Sequence, residues 1–190
     1  KMISNFIDGL MNYQFLQNAL ITSLLVGFVS GIIGSFIILR GMSLMGDAIS
    51  HAVLPGVAIS YMFSFNYVIG ASLFGILTAV LIGYVTEKST LKNDTVIGIV
   101  FSSFFALGII LISFAESATN LYHILFGNVL AVRDSDMVLT AVVTVISVIF
   151  ILLFFKELKL TSFDPVMAKA AGLPVKFFHY ALMFLLTLVA

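Results

Sequence analysis

The run Phe15-Leu-Gln-Asn-Ala-Leu-Ile-Thr-Ser-Leu-Leu-Val-Gly-Phe-Val-Ser-Gly-Ile-Ile-Gly-Ser-Phe-Ile-Ile-Leu39 contains no charged side chain. Crossing the hydrocarbon of a bilayer takes about 20 helical residues, and this run exceeds that length. It is also too long for a signal-peptide core, and no small-residue cleavage site follows it. It therefore reads as a retained spanning helix. The rest of the chain has the same character: 61% of its 190 residues are hydrophobic and 9% charged, with a mean hydropathy of +1.19. A soluble domain is nearer half apolar and a quarter charged. Long apolar runs in lipid must satisfy their own backbone, which favours helices over strands. The expected fold is all-α, a polytopic transmembrane helix bundle forming a single domain.

Working outward, further spans are expected at Ser43 to Phe63, Tyr67 to Thr86, Val96 to Phe114 and Met137 to Phe155, with a partial one from Phe177 to the end of the chain. The joints are short: Arg40-Gly41, Ser64-Phe65-Asn66, and Glu87 to Thr95. If each span crosses once and the loop 156–176 is cytoplasmic, Arg40, Lys88, Lys92, Lys156, Lys159, Lys169 and Lys176 lie inside. Lys1 and Arg133 are left outside. Basic residues favour the cytoplasmic side, so the N-terminus is expected to be extracellular. The segment 115–136, with Glu116, His123, Arg133 and Asp136 around a short apolar core, is too short to span and reads as an external or re-entrant element. Net charge is zero, so no basic surface argues for nucleic acid. Cysteine is absent, which excludes disulfides, thiolate metal sites and a cysteine nucleophile.

Asp47 and His51 lie inside the second apolar stretch, Gly41-Met-Ser-Leu-Met-Gly-Asp-Ala-Ile-Ser-His-Ala-Val-Leu-Pro-Gly56. Ionisable groups within a membrane helix are costly unless paired or hydrated, and they mark pathways. One helical turn separates the two residues, which puts them on one face. A carboxylate and a neutral imidazole suit Mn²⁺, Fe²⁺ or Zn²⁺ better than Na⁺ or Mg²⁺. Ala48, Ala52 and Gly56 form a small-residue stripe beside them, Gly46 and Ser50 flank the other side, and Pro55 is expected to kink the helix. Two ligands make a weak site, and a two-fold dimer would bring four together. The same spacing also fits a buried pair that fixes packing, or a proton relay. Small-residue stripes at Gly27 and Gly31, at Ala71, Gly75, Ala79 and Gly83, and at Gly98, Ser102 and Ala106 are expected to let helices approach closely. The other histidine of an apolar run, His179, reads as interfacial, and the 19 Phe residues as packing or lipid-facing groups.

Between the fifth and sixth spans, Ser162-Phe-Asp-Pro-Val-Met-Ala-Lys-Ala-Ala-Gly-Leu-Pro174 reads as one short helix. Asp164 is a good N-cap, Pro165 fits the first position, Gly172 stops the helix, and Pro174 prevents continuation.

The runs Met45 to Gly56 and Ser162 to Pro174 together resemble the membrane permease of bacterial ABC importers for manganese, zinc or iron (the metal ABC-3 family). The resemblance extends over the whole chain. It implies a permease of the bacterial plasma membrane that forms a homodimer, with a cytoplasmic ATPase on each copy and an extracellular metal-binding protein. It further implies no permanently bound cofactor, the divalent ion being cargo. The family's intramembrane Asp and His fall on Asp47 and His51. Its coupling helix, which docks on the ATPase, falls on Phe163 to Gly172 and includes Asp164, Pro165 and Ala168. Its extracellular gate helix corresponds to the external segment, which places Glu116 and His123 near the metal's entrance. Gly46, Ala48, Ala52, Pro55 and Gly56 are the expected packing residues around the site. Members of the family continue through further helices, so this chain is expected to be truncated at its C-terminus.

Two other classes fit the residues. A proton-coupled secondary carrier would use the Asp–His pair as a relay, and a non-transport scaffold would use it as a seam. An enzyme fits least, because Ser50 and His51 are adjacent and point about 100° apart on a helix. The chain also has no phosphate loop of the G-x-x-x-x-G-K-[ST] type, so ATP hydrolysis belongs to another subunit.

Overall fold

The computed structural model describes residues 9, 12–114 and 132–190. Among these the chain forms nine helices and no strand: α1 Gln14–Leu39, α2 Met45–Ala52, α3 Leu54–Met62, α4 Tyr67–Lys88, α5 Asn93–Phe114, α6 Asp134–Leu153, α7 Phe155–Phe163, α8 Pro165–Ala170 and α9 Val175–Val189. Helices α1, α4, α5 and α6 are each long and apolar enough to cross a bilayer.

The second expected span is present as two shorter helices. Its axis is interrupted at Val53, between α2 and α3. Pro55 has no N–H to give to the carbonyl of His51, so a continuous helix would lack that bond, and the break falls two residues N-terminal of the ring. The fifth span is intact as α6, and another helix follows it at once. Helix α6 ends at Leu153 and α7 restarts at Phe155, so the first part of the expected loop 156–176 is helical.

Local signals set the turns. Gly41 adopts φ +70°, and Arg40, Gly41 and Met42 return their N–H groups to the carbonyls of Ile37 and Ile38. That positive φ costs a glycine nothing and any other residue about 1 kcal/mol or more. Asn66 caps α4 by accepting the N–H of Val68 at 2.9 Å.

Helix α9 lies at the centre of the bundle. Phe178, Leu182 and Met183 are buried with Ile33 of α1, Met45 and Ile49 of α2, Ile82 of α4, Ile97 of α5 and Leu158 of α7. The small-residue stripe of α4 is what lets α9 in. A Cβ on Gly75 would lie 2.3 Å from Thr187 Cγ2, and one on Gly83 would lie 2.8 Å from the Tyr180 ring. The stripes at Gly27/Gly31 and Gly98 behave differently, since a Cβ at any of these meets nothing within 4 Å.

Polar contacts gather at the two ends. At one end, the Asn18 amide donates to the Asp134 carboxylate, with Gln14 beside it. At the other, Arg40 meets Thr161, Ser162 and His179, and Lys176 pairs with Glu87 at 3.0 Å. The lateral surface between them is apolar, with Leu24, Leu73, Ile110, Val145 and Leu152 exposed, as lipid contact requires.

Candidate metal site

Helix α2 carries Asp47 in its first turn and His51 in its last. Their side chains converge as the one-turn spacing dictates, with His51 Nε2 3.5 Å from Asp47 Oδ1. The two differ in exposure: the Asp47 side chain is 72% exposed and that of His51 27%. His51 is held from behind by α5, where Phe101 and Phe105 lie 6.0 and 5.8 Å away, centroid to centroid. The Phe105 contact is edge-on, at an interplanar angle of 76°, a favoured arrangement for ring pairs. The imidazole is thus fixed by packing, and the carboxylate stands free in front of it.

This separation suits a shared ion. A tetrahedral metal bound at about 2.1 Å by an imidazole nitrogen and a carboxylate oxygen sets those atoms about 3.4 Å apart. Among the described residues no third His, Cys, Asp or Glu completes the pair, so these residues offer two ligands and an open front.

The flanking residues divide by face. Ala48, Ala52, Pro55 and Gly56 are buried, and α3 and α4 cross closely at Gly56, where a Cβ would lie 2.1 Å from the carbonyl oxygen of Gly70. Pro55 packs towards Gly108 of α5. It does not continue the exposed Asp47 face, because the break at Val53 intervenes. Gly46, expected to serve packing, instead meets open space. With Ser43 and Ser50 it lines a groove of about 390 Å³ whose other wall includes Ser30 and Gly34 of α1. Sequence reasoning assigned no role to Ser30 and Gly34, although their spacing of one turn was visible. Glu116 and His123 lie outside the described residues.

The short helix after α7 has the local structure its residues dictate. Asp164 Oδ1 accepts the N–H of Met167 at 2.9 Å, Pro165 is the first helical residue, and Gly172 stops the helix at φ +79°. Two assignments within it need correction. Phe163 belongs to the end of α7 rather than to this helix. Ala168 is fully buried against the rest of the chain, so it seats α8 and cannot face a partner. The large apolar side chains presented outward are Phe163, Val166 and Met167, with Val166 79% exposed. Val166 and Met167 were missed because six residues are too few for an apolar period to show.

Residues 12–190 match the ABC 3 transport family. The chain is 70% identical over 184 residues to the manganese transport system membrane protein MntC of Listeria monocytogenes, covering 97% of this chain and 66% of that protein. It is 59% identical to the manganese import system permease protein ScaB of Streptococcus gordonii, covering 100% of this chain and 68% of that one. Among solved structures, PsaBC from Streptococcus pneumoniae in complex with Fab superposes with a TM-score of 0.86 at 60% identity, over 98% of this chain and 68% of that one. The chain thus spans about two thirds of the length of these relatives. With nearly every described residue inside the match, the chain belongs to the ABC 3 transport family.

Proposed function

We propose that this chain is the membrane-spanning permease subunit of an ATP-driven importer of divalent transition metal, with manganese as the cargo and zinc or iron as related possibilities. One observation carries the reading: a carboxylate 3.5 Å from an imidazole stands 72% exposed in a helix that lies between helices long and apolar enough to cross a bilayer. A charge cannot stay there against hydrocarbon, so that face must meet water or another protein. The two-ligand site becomes a four-ligand one if a second copy brings its own Asp47 and His51 across a two-fold axis. Weak, shared coordination of this kind lets an ion bind and leave. The names of the relatives support manganese, and the oxygen–nitrogen donor set is compatible with it.

In this reading the N-terminus is extracellular and the Arg40 end of the bundle is cytoplasmic. An extracellular metal-binding protein delivers the ion near the segment that contains Glu116 and His123. A cytoplasmic ATPase docks on the exposed apolar face of α8. ATP binding there shifts the bundle between outward- and inward-facing arrangements. The permease itself catalyses no reaction.

The test is metal accumulation by cells whose chain carries Asp47→Ala or His51→Ala. Manganese uptake is expected to fall by about tenfold or more at unchanged protein level, since each change removes half of the donor set. Unchanged uptake with normal membrane levels would remove the pair from the pathway. A secondary carrier would instead move metal in vesicles with no ATPase present.

A further inference from the structure

At the Arg40 end of the bundle, a pocket of about 450 Å³ opens between the ends of α1 and α4, the start of α9 and the flank of α8. Arg40 is its half-buried wall. The guanidinium donates from Nε to Ser162 Oγ at 3.1 Å and from Nη2 to Thr161 Oγ1 at 2.9 Å, and its Nη1 lies 3.3 Å from His179 Nδ1. None of these partners carries a negative charge. Among the described residues no carboxylate pairs with Arg40, since the ion pairs are His51–Asp47 and Lys176–Glu87. Burial without a counter-ion has the expected effect, pulling the Arg40 pKa down to about 10.

The rest of the pocket points the same way. Lys169 adds a second cation to the lining, while Lys176 and the acidic lining residue Glu87 neutralise each other at 3.0 Å. The Thr86 hydroxyl, also in the lining, is buried and has no hydrogen-bond partner. Leu39 supplies an apolar wall that is itself exposed at the rim.

We propose that this pocket binds a phosphate group, that of an anionic phospholipid headgroup in the adjoining leaflet. The group it lacks is an anion with several acceptor oxygens, which would neutralise Arg40 and reach the Thr86 hydroxyl and Lys169. The level is that of a headgroup, because α1 and α4 leave the hydrocarbon here and α9 re-enters it. Basic pockets between membrane helices at this level hold such headgroups. The exposed Leu39 beside the cations favours a lipid over free phosphate, since an acyl chain would cover it. Occupancy would tie the end of α1 to α8, the helix through which an ATPase would act.

The full-length permease in nanodiscs tests this. Phosphatidylglycerol in a phosphatidylcholine disc is expected to raise the unfolding temperature of the wild type, and purified protein is expected to retain phosphatidylglycerol in native mass spectra. Arg40→Gln and Lys169→Gln should each cut that retention about fivefold, the usual worth of one cation at a membrane surface. Lys169→Gln leaves the Arg40 network intact, so it answers the question even if Arg40→Gln fails to fold. Retention equal to wild type in Lys169→Gln would overturn the proposal. Stabilisation by millimolar inorganic phosphate with none from phosphatidylglycerol would overturn the lipid source. Loss of the co-purifying ATPase from Arg40→Gln at unchanged lipid retention would show that a partner's carboxylate fills the pocket, and the proposal would fall.

Discussion

At Asp47 and His51, packing fixes the imidazole and leaves the carboxylate free, so the two residues should fail differently. His51 is gripped by Phe101 and Phe105 and can ligate only while its ring is neutral, because a protonated imidazole has no lone pair to give. Metal uptake should fall in both His51→Asn and Asp47→Asn chains, but only the His51 change, which empties space against Phe101 and Phe105, should also lower the unfolding temperature. An equal drop in unfolding temperature from Asp47→Asn would contradict that division of roles. Gly70 illustrates the opposite kind of residue, one whose chemistry is only its lack of a side chain. A Cβ there would sit 2.0 Å from Ser60 Oγ and 2.4 Å from the carbonyl oxygen of Gly56. Since backbone cannot give way as a side chain can, Gly70→Val should cost at least about 1–3 kcal/mol. A lower unfolding temperature in detergent would register the loss, and an unchanged one would contradict the α3–α4 contact.

Helix α8 separates what local sequence can say from what it cannot. Its start and stop were legible because each depends on one residue: an aspartate that accepts an N–H, a proline that needs none, a glycine at positive φ. Which side faces inward was not legible, since that depends on where α7 and α9 lie. The burial of Ala168 and the exposure of Val166 and Met167 therefore predict two distinct phenotypes. Ala168→Arg forces an unpaired charge against the permease's own interior, where such burial is strongly destabilising, so its unfolding temperature should drop before any partner is added. Met167→Asp should leave that temperature within about 0.5 kcal/mol equivalent of wild type, as surface changes do, yet reduce co-purification of the ATPase and the ATP hydrolysis it performs. If Met167→Asp assembles normally, α8 does not dock through this face. Asp164→Ala should fall between the two, with about 1 kcal/mol lost from the cap.

Across the whole molecule, the all-helical architecture and the four long spans follow from hydropathy alone, because lipid leaves a chain few alternatives. The use made of each small-residue stripe does not. Gly75 and Gly83 receive α9, while Gly27, Gly31 and Gly98 face outward with nothing against them, and only the placement of neighbours distinguishes these cases. His179 reads as interfacial in the sequence, and its contact with Arg40, far away along the chain, is invisible there for the same reason. The open face around Asp47 raises the same question of what covers it, and the absence of cysteine from the chain makes an answer accessible. Ser50 is exposed beside that groove, its hydroxyl donating to the Gly46 carbonyl at 2.9 Å. A Ser50→Cys chain carries a single thiol, and it can bridge to a second copy only if the paired Cα atoms come within about 7 Å. If two copies share the Asp47–His51 conduit, mild oxidation in membranes should convert Ser50→Cys to a covalent dimer. Leu139→Cys, on the exposed apolar face of α6, should remain monomeric. The reverse pattern would place the two-fold axis along α6, leaving each Asp47 on the outer flank of the assembly, where no second pair of ligands could reach it.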